Sequence, residues 1–191
     1  MTIHGRSDAA VFINMIGKRS IFLIGPMGSG KTAVGRQLAR MLSLEFLDSD
    51  VEIEARTGVD IPLIFEKEGE VGFREREREA IASLTARDGI VLATGGGAVL
   101  LPANREHLSA RGCVVYLQTS VDQQLERTRH GRHRPLLYTS DPKTRLRELL
   151  VERLPYYEAT ADIVVNTDGR RVQAVADEIA QLLAERSDVA S

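Results

Sequence analysis

The sequence predicts an α/β fold in which a parallel sheet of five strands carries helices on both faces. Three observations predict it. Four of five short runs are apolar almost without interruption, which suits strands buried on both faces. The spans between them repeat their apolar residues at helical spacing. Alternation of the two element types along one chain is the mark of such a sheet.

The elements follow in order. Residues 1–19 read as a flexible extension ahead of the first strand, Ile21-Phe22-Leu23-Ile24, which ends at a glycine-rich turn. Ala33, Val34, Leu38, Met41 and Leu42 then give a helix. A second strand spans Glu45 to Asp48. The charge run Phe73-Arg74-Glu75-Arg76-Glu77-Arg78-Glu79 sits on a helix, where Arg76 and Arg78 fit a solvated face. Ile90 to Ala93 is a third strand, ending in Gly95-Gly96-Gly97, and Val114 to Leu117 a fourth. Arg127 to Arg134 holds four arginines, two histidines and no acid, and fits a mobile lid over about 128–142. Ile163-Val164-Val165 is the fifth strand. Val172, Val175, Ile179 and Leu182 form the stripe of the last helix. No repeat or linker divides 20–191, which read as a single domain.

Composition narrows the function. The 191 residues, 43% hydrophobic and 27% charged, suit one compact domain. The 25 basic and 27 acidic residues nearly cancel, which speaks against a dedicated nucleic-acid binder. No apolar stretch is long enough to span a membrane, and the first 18 residues lack the pattern of a secretory signal. The single cysteine, Cys113, lies in an apolar run and reads as core. A cytoplasmic location follows as the expectation, with no membrane or nucleic-acid partner and a monomeric chain.

Gly25-Pro26-Met27-Gly28-Ser29-Gly30-Lys31-Thr32 matches the phosphate-binding pattern G-x-x-x-x-G-K-[ST], with a strand before it and a helix after. Its glycines let successive N–H groups face phosphate oxygens, and the helix N-terminus adds partial positive charge. Lys31 can reach the β- and γ-phosphates, and the Thr32 hydroxyl can ligate Mg²⁺. The chain is expected to bind a nucleoside triphosphate with magnesium. Asp48-Ser49-Asp50 follows the second strand, where open α/β sheets place ligands. Period-two alternation would put both carboxylates on one side, one toward the magnesium and one toward an acceptor hydroxyl. Ser49-Asp50-Val51-Glu52 also reads as a capping box, which accounts for Ser49 and Glu52 and leaves Asp48 to function. The three glycines Gly95, Gly96 and Gly97 suggest backbone approaching a ligand closely. His130 and His133 have no nearby carboxylate or cysteine, so a metal site there is not expected.

Taken together, GPMGSGKT, DSD, FRERE, ATGGGAV, RPLL and ERLPYY resemble the bacterial shikimate kinases in type, order and spacing, from about Ile21 into the last helix. The resemblance implies a three-layer P-loop kinase fold that moves the γ-phosphoryl of ATP onto the 3-hydroxyl of shikimate. It implies that Gly28, Ser29, Gly30, Lys31, Thr32 and Ala33 hold the ATP phosphates. Thr32 would bind Mg²⁺, with Asp48 reaching it through water. Asp50 would orient the attacking hydroxyl. Arg74 and Arg153 would grip the acceptor carboxylate beside Gly95, Gly96 and Gly97. Arg134 would come from the lid onto the γ-phosphate, Arg127 would lie along the adenine, and Arg170 would sit where the adenine loop returns. Lys31, Asp50 and Arg134 would carry the chemistry. The rival readings are a gluconate-type sugar-acid kinase, a nucleoside monophosphate kinase with a larger acceptor lobe, and a silent nucleotide-binding module. The last would be expected to lack Lys31, Asp50 or the lid arginine.

Overall fold

The computed structural model describes residues 20–129 and 135–189. All five strands are parallel and stand in the order β2-β3-β1-β4-β5. They are β1 (Ile21–Ile24), β2 (Glu45–Asp48), β3 (Ile90–Ala93), β4 (Cys113–Gln118) and β5 (Ile163–Asn166). Seven α-helices lie among the described residues: α1 (Lys31–Leu42), α2 (Ser49–Thr57), α3 (Ile61–Leu84), α4 (Pro102–Arg111), α5 (Val121–Thr128), α6 (Pro142–Thr160) and α7 (Val172–Val189). Short 3₁₀ turns cover Ala98–Leu100 and Pro135–Leu137.

The pleat explains why the strands are apolar on both sides. Ile21 and Leu23 join Val34, Leu38, Leu42, Val175, Ile179 and Leu183 in the core under α1 and α7. Phe22 and Ile24 face the other way, with Ile81, Leu84, Leu108, Tyr116 and Tyr157 from α3, α4, β4 and α6. Burial of such side chains contributes about 1.5–3 kcal/mol each, so the two layers hold the sheet from both sides. A smaller cluster of Ile53, Ile64, Phe73 and Ala80 joins α2 to α3. Cys113 is buried, as its apolar run predicts.

Helix ends follow local chemistry. The side chains of Asp60, Ser120 and Asp141 accept from the N–H groups of Leu63, Gln123 and Thr144, capping α3, α5 and α6. Gly69, at φ 68 and ψ −173, breaks α3 into two segments, a conformation that favours glycine.

Two expectations are corrected. The last helix buries Val175, Ala176, Ile179, Ala180 and Leu183, while Val172 stays 40% exposed. Counting 3.6 residues per turn from Ile179 brings Leu183 onto the buried line and leaves Leu182 at its flank. The second strand ends at Asp48, so Asp50 stands in the first turn of α2 rather than on the same strand. The cap of α2 is Asp48, whose extended backbone lets Oδ1 accept from the Asp50 N–H at 3.0 Å. Ser49 is already helical and uses its hydroxyl elsewhere.

Candidate active site

The strand order puts β1 in the middle of the sheet with β3 and β4 beside it, so the loops after β1, β2 and β3 gather at one carboxyl edge. They enclose a cleft of about 330 Å³ whose lining includes Gly28, Lys31, Thr32, Asp48, Asp50 and Gly96.

The loop after β1 is built for backbone approach. Gly25, at φ +141, would place a Cβ 2.5 Å from the Leu117 carbonyl oxygen. Gly28, at φ +78, lies against the backbone of Gln124 on α5. Lys31 caps the loop from inside, its Nζ donating to the carbonyls of Gly25 at 2.7 Å and Pro26 at 2.8 Å. Ser29 is fully buried, so its side chain packs within the loop. Gly30 and Ala33 line the cleft. Thr32 Oγ1 donates to Asp48 Oδ2 at 2.8 Å, which brings the two expected magnesium residues together. Both offer hard oxygen donors, the type that suits Mg²⁺, so the donor set fits that ion.

Beyond the phosphate loop the site turns acidic and then basic. Asp50 Oδ1 is buried with no hydrogen-bond partner among the described residues. Burial, reinforced by Asp48 and Glu77 and opposed by Lys31, pushes its carboxyl up to about 7. Oδ1 of Asp50 and Oε1 of Glu77 lie 3.0 and 2.5 Å from where a Cβ on Gly95 would sit. Glycine is required there because two carboxylates occupy the side-chain space. The Gly95 N–H donates to Ser49 Oγ at 2.9 Å, joining the loops after β2 and β3.

Arg74 pairs with Glu77 at 2.7 Å and Glu70 at 2.9 Å, and its guanidinium fills the position of a Cβ on Gly97. Arg153 is 3% exposed, and its Nε has no hydrogen-bond partner among the described residues. It lies by Gly96, 3.7 Å from a Cβ placed there. The fold thus brings Asp50, Arg74, Gly95, Gly96, Gly97 and Arg153 together.

Glu77 is what sequence reasoning missed. It is fully buried inside a charge run that otherwise reads as a solvated face. Burial raises its pKa against the lowering pull of Arg74. The neighbouring Arg76–Glu68 and Arg78–Glu75 pairs are exposed, as expected of that face. The available signal is spacing: Glu77 follows Arg74 by three residues and Phe73, also buried, by four.

On the nucleotide side, Arg127 donates to the Gly28 carbonyl and to Thr167, bridging the phosphate loop to the turn after β5. Arg170 is not brought to the cleft. It donates to the carbonyls of Asn166 and Ala174 and pairs with Glu178, because these partners on its own loop and helix lie within reach. Arg134, His130 and His133 lie outside the described residues, as does the 1–19 extension. Of the expected lid, Thr128 closes α5, Pro135–Leu137 form a 3₁₀ turn, and α6 starts at Pro142.

A phosphate-binding loop facing a buried carboxylate and two largely buried arginines defines a P-loop kinase of small molecules. The sequence matches the family described as shikimate kinase over residues 27–184. The chain belongs to that family. It is 61% identical to a shikimate kinase of Halorhodospira halophila over 163 residues, covering 85% of this chain and 92% of the relative. A solved shikimate kinase from Acinetobacter baumannii in complex with shikimate superposes with a TM-score of 0.88 at 49% identity, covering 91% of this chain and 97% of that one. A gluconokinase from Sinorhizobium meliloti reaches a TM-score of 0.56 at 17% identity, a likeness of fold alone, with 89% of this chain and 94% of that one covered. No described helix is long and apolar enough to cross a membrane.

Proposed function

We propose that this chain transfers the γ-phosphoryl group of ATP to the 3-hydroxyl of shikimate, giving shikimate 3-phosphate and ADP. One observation carries the reading: Asp50 Oδ1, Glu77 Oε1 and Arg153 Nε are all buried without partners among the described residues, the two carboxylate oxygens beside Gly95 and the Arg153 guanidinium beside Gly96. Each such atom costs about 1–3 kcal/mol, so the cluster is shaped for a polar ligand that is both hydroxylated and anionic.

The roles follow from the chemistry of each group. The amides from Gly28 to Ala33 cradle the triphosphate, and Lys31 swings from the loop carbonyls to the β- and γ-phosphates. Thr32 and Asp48 would hold Mg²⁺, which when bound neutralises charge on the phosphates. Asp50 accepts the hydrogen bond of the attacking hydroxyl and orients it, and a pKa of about 7 suits it to take the proton. Arg74 and Arg153, with the backbone at Gly96 and Gly97, hold the acceptor carboxylate. Burial makes such charge-assisted contacts strong.

Arg127 borders the nucleotide, Arg170 supports its loop from outside, and Arg134 supplies a positive charge for the γ-phosphate. The buried lone Cys113 suits a reducing cytoplasm.

ADP release, measured with ATP and Mg²⁺ against shikimate, gluconate and nucleoside monophosphates, tests the reading. Turnover with shikimate alone is expected; faster turnover with gluconate would overturn it.

A further inference from the structure

The acid-binding half of the cleft has a back wall that none of these roles uses. Tyr157, one turn after Arg153 on α6, is fully buried, and its hydroxyl donates to the Gly96 carbonyl oxygen at 2.5 Å. Its ring stacks on Tyr116 of β4, centroids 5.0 Å apart and planes 18° from parallel. The ring is therefore fixed from below by the sheet. The guanidinium of Arg153 faces the same hydroxyl. Burial pushes the phenol well above its usual range, so the hydroxyl keeps its proton and remains a donor.

This contact has a directional consequence. In a trans peptide the C=O and the following N–H point in opposite directions. Pinning the Gly96 carbonyl to Tyr157 thus fixes the Gly97 N–H to point away from it. Gly96 itself imposes little, because a residue without a Cβ has the widest choice of backbone conformations, so the contact adds to the bond that closes the turn, from the Ala98 N–H to the Gly95 carbonyl at 3.1 Å.

We infer that Tyr157 is a positioning residue: its hydroxyl holds the Gly96–Gly97 peptide and the Arg153 guanidinium in register, so that both are aimed at the acceptor carboxylate before it arrives. The inference rests on the proposed function and adds a residue to it. Tyr116 supplies the stack but not the aim, since its own hydroxyl is buried without a partner among the described residues.

Tyr157→Phe tests this while keeping ring, stack and volume. The KM for shikimate should rise about tenfold, the scale of one lost hydrogen bond, while the KM for ATP stays within twofold. With the methyl ester of shikimate, whose neutral end makes no charge-assisted contact, the same variant should lose less than twofold. Tyr116→Phe should leave both acceptor constants within twofold. An equal loss on acid and ester, an unmoved KM for shikimate, or a matching rise in Tyr116→Phe would overturn the inference. Wild-type enzyme is assayed first: if it does not turn over shikimate, the proposed function itself fails, whereas normal wild-type turnover with an indifferent Tyr157→Phe sinks the positioning role alone.

Discussion

Thr32 Oγ1 donates a 2.8 Å hydrogen bond to Asp48 Oδ2, and the other oxygen of that carboxylate caps α2 through the Asp50 N–H. Asp48 thus serves helix and site at once, and the two duties can be separated. Asparagine caps a helix as well as aspartate does but carries no charge. Asp48→Asn should therefore keep the melting temperature of the wild type. Its half-saturating Mg²⁺ concentration should rise roughly 10–100-fold, the range for residues that act on a metal from its outer shell. A magnesium titration of turnover alongside thermal unfolding checks both halves.

Asp50→Asn should lower kcat by about 10²–10⁴-fold and leave ATP affinity unchanged, as removal of a general base does. Nucleotide affinity falling while turnover persisted would move Asp50 off the acceptor side.

The same variant makes a prediction about stability. The folded carboxyl titrates at about 7 against 3.8 unperturbed, so between those values the folded chain binds more protons than the unfolded one. Stability contributed by this group is therefore lost as pH rises through that window. In magnesium-free buffer, Asp50→Asn should be more stable than wild type by ~1–3 kcal/mol at pH 8, with the difference vanishing near pH 3. Urea unfolding at the two pH values reads the sign directly.

Gly97 has φ −96, which alanine adopts without strain, yet an added Cβ would fall 2.3 Å from Arg74 Nη2. The guanidinium, at the end of a flexible side chain, has to move. Gly97→Ala should fold normally, bind ATP normally and raise the KM for shikimate about tenfold, equivalent to ~1.4 kcal/mol of lost binding. Steady-state kinetics in both substrates decide it.

Arg74 is the near partner that compensates the buried charge of Glu77. Arg74→Ala should destabilise the fold by about 3–5 kcal/mol, because the buried carboxylate loses its direct ion-pair partner and keeps only the field of Arg153. Glu77→Gln, which keeps volume and removes the charge, should cost less in a urea titration and still raise the KM for shikimate.

Much of this arrangement is legible in the sequence because it rests on local chemistry. The phosphate loop needs its glycines and lysine in fixed order, and strands buried on both faces have to be apolar throughout, so Ile21–Ile24 and the loop after it read directly. What is not legible depends on where chain segments meet. Glu77 looks like its exposed neighbours Glu75 and Glu79 until Gly95 is packed against it. Tyr157 is an aromatic in a helical pattern until its hydroxyl meets Gly96, 61 residues away in the chain. The capping role of Asp48 was hidden by Ser49, an equally good cap one position later; backbone direction at the strand end decides between them.

The bond from the Gly95 N–H to Ser49 Oγ ties two loops that lie 46 residues apart in the chain. Those loops cannot be exchanged one at a time. A graft that imported a new acceptor preference through the Gly95–Gly97 turn alone would lose its anchor on α2, so retooling this enzyme for another acid requires transplanting both segments as a matched pair.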